Sequence, residues 1–259
     1  MKKWMRKLAE QHQQMRQQYP SDELIVVFDI DDTILDLRYM ISHVLHAFDQ
    51  RHGTSYFQDL AICDIRVSEF GVRCVIDEAP IPSDQKHRIL EWFRDNSWSS
   101  HVIRDGHQPY PGVLEVIRWI QTQPGTHVGL NTGRPESMRR DTLQCLHDVG
   151  RPQGVVFADN LLFMNPYGWG QRIVESKVEG LKHFQHSGYR IATFVDNEPE
   201  NLQAVSDFDE TGDILLLHAD TIFSSERKII PGHAVSGNIY DVTELAGIKV
   251  TGTEYYRAA

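Results

Sequence analysis

Five short apolar runs punctuate the chain: LIVVFD (24–29), HVGLN (127–131), GVVFA (154–158), IATFV (191–195) and ILLLH (214–218). Each is continuously apolar rather than alternating, the pattern of strands covered on both faces in parallel sheets. Helical periodicity fills the gaps between the later runs. PGVLEVIRWIQ sets Val113, Val116, Ile117 and Ile120 at i, i+3, i+4 and i+7, with Pro111 near its start. PESMRRDTLQCLHDVG opens on a proline and closes on Gly150. Between Ile173 and His186, Val174, Val178, Leu181 and Phe184 make one stripe, and PENLQAV supplies a short helix after the fourth strand. Strand alternating with helix predicts an α/β fold, a Rossmann-like doubly wound parallel sheet.

One interval breaks the rhythm. Roughly 70 residues separate the first strand from the helix at Pro111, where a βα connection usually takes about 2–6. They carry a helix with Ile41, Val44, Leu45 and Phe48 on one face, a second helical pattern in QKHRILEWFRDN, and a strand-like FGVRCVID between them. The expected organisation is a small, mainly helical insert over 40–105 and a main body of 21–39 plus 106–259. Residues 1–20 read as an N-terminal helical extension with Trp4, Met5, Leu8 and Met15 inward, ended before Pro20. That extension is basic but lacks the apolar h-region of a signal peptide.

Composition narrows the function classes. With 259 residues, 41% of them hydrophobic, the chain can build a substantial core. A net charge of -10 argues against broad nucleic-acid binding, which needs a basic face. No apolar run approaches the ~18 residues of a membrane span. Cys63, Cys74 and Cys145 lack metal-type spacing and read as reduced thiols of a cytoplasmic protein. His43, His46, His101 and His107 also lack ligand spacing and read as packed or solvated. Trp92, Phe93 and Trp98 read as core or hinge packing.

Candidate chemistry gathers at the strand ends, where open α/β sheets bind ligands. Asp29, Asp31, Asp32 and Thr33 follow the first strand; Asn131, Thr132, Gly133 and Arg134 follow the second. Asp196, Asn197, Glu198 and Glu200 follow the fourth, and Lys177 sits early in the helix before it. Carboxylates this close ionise together if a hard cation such as Mg²⁺ sits among them. Mg²⁺ and a lysine together neutralise a phosphoryl group, so that a carboxylate can attack phosphorus. A second carboxyl, two residues on, can then serve as proton donor and acceptor if its pKa is raised towards neutrality. Taken alone, FDIDDT also fits an acidic turn, or the DxD pair with which a glycosyltransferase holds a metal and a nucleotide diphosphate. NTGR alone fits a turn with Thr132 capping a helix.

Four segments in order, FDIDDTIL, VGLNTGRP, ESKVEGL and FVDNEPENL, resemble the motifs of the haloacid-dehalogenase-like (HAD) hydrolases. The resemblance covers 21–39 and 106–220 and implies a phosphatase with a type-one cap formed by the insert. By position, Asp29 resembles the nucleophile and a metal ligand, and Asp31 the general acid/base, its carbonyl also on the metal. Thr132 and Lys177 resemble the groups that hold the phosphoryl oxygens, with Gly133 and Arg134 beside them as substrate contacts; Asp196 resembles the second metal carboxylate. Lys182 is the alternative to Lys177, and Asn197 and Glu200 are alternative supports for the metal beside Asp196. An aspartate at position 31 resembles the phosphatase and phosphomutase branches. The resemblance thus implies Mg²⁺ as cofactor and a small phosphorylated metabolite as substrate. A phosphomutase, a nucleic-acid end phosphatase or a non-catalytic binding protein on the same core are the alternatives. Every version requires the first and fourth strands to end side by side.

Overall fold

The structure is a computed structural model and describes residues 4–65, 71–221 and 229–245. Strand β1 (Glu23–Phe28) is flanked by β4 (Thr126–Pro135) and β6 (Tyr189–Asp196), both parallel to it. Outside these lie β5 (Leu162–Asn165), next to β4, and β7 (Leu215–Ala219) followed by β8 (Val235–Gly237), next to β6. All six strands are parallel, in the order β5-β4-β1-β6-β7-β8.

Side-chain alternation along β1 explains why its apolar run is unbroken. Val26 and Phe28 enter one core with α6 (Val113–Gln121) and α7 (Arg139–Gly150). Ile25 and Val27 enter the opposite core with α8 (Ile173–His186) and α9 (Pro199–Phe208). Both faces are buried, so polar residues have no place along this strand until it ends. The chain crosses from one side of β1 to the other, and at such a switch the strand ends open a crevice.

The N-terminal helix α1 (Trp4–Gln18) is built into this body. Trp4, Met5 and Leu8 are buried in the first core, and the Trp4 indole N–H donates to the Ile239 carbonyl at 2.6 Å. Gly237 lies against that indole so closely that a Cβ would come 2.3 Å from its ring. Burying three such side chains contributes on the order of 1.5–3 kcal/mol each.

Helices α2 (Leu37–His52), α3 (Val72–Glu78), α4 (Ser83–Asn96) and α5 (Ser100–Asp105) share a separate core of Met40, Ile41, Val44, Leu45, Phe48, Ile76 and Ile89. A short antiparallel pair, β2 (Leu35–Asp36) with β3 (Gln108–Pro109), ties together the two points where the chain leaves for these helices and returns.

Two expected strands are corrected. FGVRCVID is a helix where described: Val72, Val75 and Ile76 stand at i, i+3 and i+4 and are buried against its neighbours. Phe70 lies outside the described residues. GVVFA is not a strand either. Val155 and Phe157 insert into the first core from an irregular segment, and the third strand in sequence forms later, at β5. No helix among the described residues is long and apolar enough to cross a membrane.

Candidate active site

β1 delivers its carboxylates through a tight turn. The Ile30 carbonyl accepts from the N–H groups of Ile34 and Leu35, both at 2.8 Å, and Asp32 adopts φ +53°. Aspartate is among the few residues that tolerate this left-handed conformation. The turn holds Thr33 fully buried behind it and turns Asp29 and Asp31 to one cleft. Tyr240 donates to the Thr33 carbonyl at 2.8 Å, and Thr221 donates to that of Asp32.

Because β6 pairs with β1, Asp196 ends beside Asp29; the Asp29 N–H donates to the Val195 carbonyl at 2.8 Å. Lys177 reaches from α8 between the two carboxylates. Its Nζ donates to Asp29 Oδ1 and to the Asn131 carbonyl (2.7 Å), and lies 2.9 Å from Asp196 Oδ2. The Asn131 amide returns a bond to the Lys177 carbonyl at 2.7 Å, and Gly180 gives it room. Asn201 donates to both Asp196 oxygens (3.0 and 3.2 Å), and the Glu198 N–H adds a third bond at 2.8 Å. Oriented to donate, the Asn197 amide reaches Asp29 Oδ2 and the Asp31 carbonyl, each at 3.2 Å.

Electrostatics follow from this packing. Burial raises the Asp29 carboxyl to about 7, with Lys177 pulling against it and Asp196 and Asp31 adding to it. Burial would lower Lys177, but Asp196 and Asp29 outweigh it and hold the ammonium charged. Burial would likewise raise Asp31, yet the Arg134 guanidinium brings it below the usual carboxylate range, against the rise expected of a proton-transferring carboxyl. Asp32 is pushed well up, chiefly by burial, although Leu37 N–H and Tyr110 Oη both donate to it.

Three carboxylates (Asp29, Asp31, Asp196) thus face two cations, Lys177 and Arg134. The donors left around this excess of negative charge are hard oxygens: the Asp29 and Asp196 carboxylates and the Asp31 carbonyl. That set fits a divalent cation that completes its shell with water and phosphate. No group of three His, Cys, Asp or Glu side chains among the described residues does so by itself.

The structure brings most of the expected residues together. Asp29, Asp31, Gly133, Arg134 and Lys177 line a cleft of about 320 Å³, with Asp196 buried beneath Lys177. Thr132 is buried at the same strand end, where its Oγ accepts from the Arg134 N–H at 3.2 Å; it is not part of the cleft lining. Lys182 lies elsewhere, exposed over the Phe208 ring, and Glu200 is exposed on α9. Asn197 is the one of the two alternatives that sits in the site.

Arg134, expected to contact the substrate anion, instead forms a two-pronged bridge to Asp31 with its side chain fully buried. Sequence reasoning missed Asn201, read His107 as packed or solvated, and assigned Trp98 to core or hinge packing; His107 is buried. Trp98 and Trp169 wall the cleft with Leu37 and Ile173, their rings 4.5 Å apart. The GWG around Trp169 was the available signal, since both glycines take left-handed φ values of +97° and +68°.

The family model described as HAD superfamily, subfamily IIIB (acid phosphatase) matches residues 77–224, beginning after the first acidic motif. No curated protein matches in sequence. Among solved structures, a haloacid dehalogenase-like hydrolase from Burkholderia xenovorans superposes with a TM-score of 0.51 at 14% identity, covering 87% of this chain and 97% of that one. A Lactobacillus delbrueckii protein assigned as a phosphoglycolate phosphatase gives 0.50 at 15%, covering 86% and 97%. At these identities the likeness is one of fold.

Proposed function

The chain belongs to the HAD superfamily, subfamily IIIB, and is a phosphoric monoester hydrolase; from that premise we propose a Mg²⁺-dependent cytoplasmic phosphatase that works through an aspartyl-phosphate on Asp29. The observation that carries this reading is the charged Lys177 between Asp29 and Asp196, with Asp31 two residues on at the same cleft.

In the first step Asp29 Oδ attacks phosphorus, the bond from phosphorus to the ester oxygen breaks, and that oxygen takes a proton from Asp31. In the second, a water gives a proton to Asp31 and attacks the same phosphorus, releasing phosphate and regenerating Asp29. Lys177 neutralises the phosphoryl oxygens and pulls against the burial that favours a protonated Asp29. Thr132 and the Gly133 backbone hold the phosphoryl group; the Thr132 hydroxyl accepts from the Arg134 N–H and keeps its own proton to donate. Asp29, Asp196 and the Asp31 carbonyl hold the cation, which supplies further positive charge at the phosphoryl group. Arg134 makes Asp31 a stronger acid, so its proton leaves more readily but the protonated form is scarcer at a given pH.

The insert over 40–105, whose helices have their own core, serves as the lid, and 21–39 plus 106–259 as the catalytic body. A lid favours a small metabolite. Leu37, Trp98, Trp169 and Ile173 offer the ester group an apolar wall. Both cations among the described cleft residues are already paired with carboxylates, so a leaving group without a second anionic group is favoured. The test is release of inorganic phosphate from a panel of phosphomonoesters, in EDTA and after Mg²⁺ is restored. Mg²⁺-dependent release supports the reading; full turnover in EDTA, or transfer of the phosphoryl group without release, contradicts it.

A further inference from the structure

We propose that Arg134 is a positioning residue that fixes the Asp31 carboxyl for proton transfer, with His107 and Thr142 holding Arg134 in turn. The inference rests on the reading of Asp31 as the proton shuttle.

Arg134 Nε donates to Asp31 Oδ2 at 2.8 Å and Nη2 to Oδ1 at 2.6 Å. Two parallel bonds between planar groups fix the plane of the carboxyl as well as its place. They occupy one side of each oxygen and leave the other lone pairs free on a side chain that is 21% exposed at the cleft. A proton bound there is aimed away from the guanidinium and toward the substrate.

The guanidinium is itself held on all its edges. Nη1 donates to Thr142 Oγ at 3.2 Å, from α7 of the main body. Nη2 also lies 3.3 Å from His107 Nε2. His107 Nδ1 is 3.2 and 3.1 Å from the carbonyls of Val102 and Ile103, so the ring proton belongs on Nδ1 and Nε2 accepts from Arg134. The Trp98 ring covers the guanidinium, 5.3 Å from Cζ. With no exposed surface on its side chain, Arg134 is built as a clamp on Asp31 rather than a hand for substrate. Trp98 and His107 come from the returning end of the lid helices, so the orientation of Asp31 depends on how that segment is seated.

The experiment compares Arg134→Lys, which keeps the charge but loses the fork, with Asp31→Asn and the double variant. Each is assayed on 4-nitrophenyl phosphate (a good leaving group) and benzyl phosphate (a poor one), with folding checked by thermal denaturation. For Arg134→Lys we expect kcat on benzyl phosphate to fall about 10–100-fold, that on 4-nitrophenyl phosphate less than about 3-fold, and KM to hold within about twofold. In the Asp31→Asn background the lysine should add less than about twofold.

A raised KM at unchanged kcat would assign Arg134 to substrate binding and overturn the proposal. So would equal losses on both esters. If Asp31→Asn itself shows equal losses, the reading of Asp31 fails and this inference with it; if only Arg134→Lys does, the inference alone fails. Should Arg134→Lys not fold, His107→Gln carries the test: a several-fold loss confined to benzyl phosphate supports the relay, and none overturns it.

Discussion

Replacing Lys177 with methionine removes the ammonium that lies between two buried carboxylates. Lys177, Asp29 and Asp196 have side chains at most 8% exposed, so little water reaches the pair once the charge is gone. Breaking a buried ion pair from one side costs about 3–5 kcal/mol, and methionine fills much of the vacated volume. Proton uptake limits the loss. Asp29 stands near 7 with Lys177 pulling it down, so without Lys177 it rises further and protonates. A carboxyl raised in the folded state favours folding below its unfolded pKa and loses that advantage as pH rises through its folded value. The destabilisation should therefore be small at pH 5.5 and reach about 3 kcal/mol at pH 8 or above. For a chain of this size that is a fall in Tm of roughly 6–12 °C. Calorimetry in EDTA at the two pH values measures it, and phosphate release should fall about 10²–10³-fold. Added Mg²⁺ should raise the Tm of the variant more than that of the native protein. A variant within 2 °C (about 0.5–1 kcal/mol) of the native protein at pH 8 would refute the reasoning.

Asp29→Asn should abolish turnover while leaving Tm equal or higher, because it deletes a buried charge and keeps the shape; normal activity would exclude Asp29 as the nucleophile. Trp169→Ala should lower kcat/KM about tenfold for esters carrying an aromatic ring, the worth of one ring contact, and leave methyl phosphate unchanged; equal losses on both would remove the indole from substrate contact. Because Asp29 stands near 7 without metal, Mg²⁺ binding below that pH should displace its proton, so affinity should rise toward tenfold per pH unit and level off above. Titration calorimetry in buffers of different ionisation enthalpy checks this, and an affinity that is flat between pH 5.5 and 7 would contradict it.

The parts of the fold set by local pattern were legible in the chain. β1, β6 and β7 are apolar on both faces because helices cover both; of the stripe read in α8, Leu181 and Phe184 are buried while Val174 and Val178 are half-buried. In the candidate site, the meeting of Asp29, Asp31, Lys177 and Asp196 at one sheet edge was legible, because it follows from their places at the strand ends and early in α8. What could not be read depends on partners distant in sequence. GVVFA and LFMN are equally apolar and both contribute buried residues, and only pairing with β4 decides which is the strand. The short α3 imitates alternation because Val72, Val75 and Ile76 satisfy a helical face within a few residues. Arg134 appears in the sequence as a cation beside a phosphate site. Its partner Asp31 lies 103 positions earlier, and His107 reaches it from the far end of the lid helices.

The central claim is that Asp29 carries the phosphoryl group. The direct measurement is to quench the enzyme in acid during turnover of a ³²P-labelled ester and map the label by peptide mass spectrometry. An acid-stable, hydroxylamine-sensitive label on Asp29 is the predicted result. Turnover that leaves no label, or a label on any other residue, would contradict it.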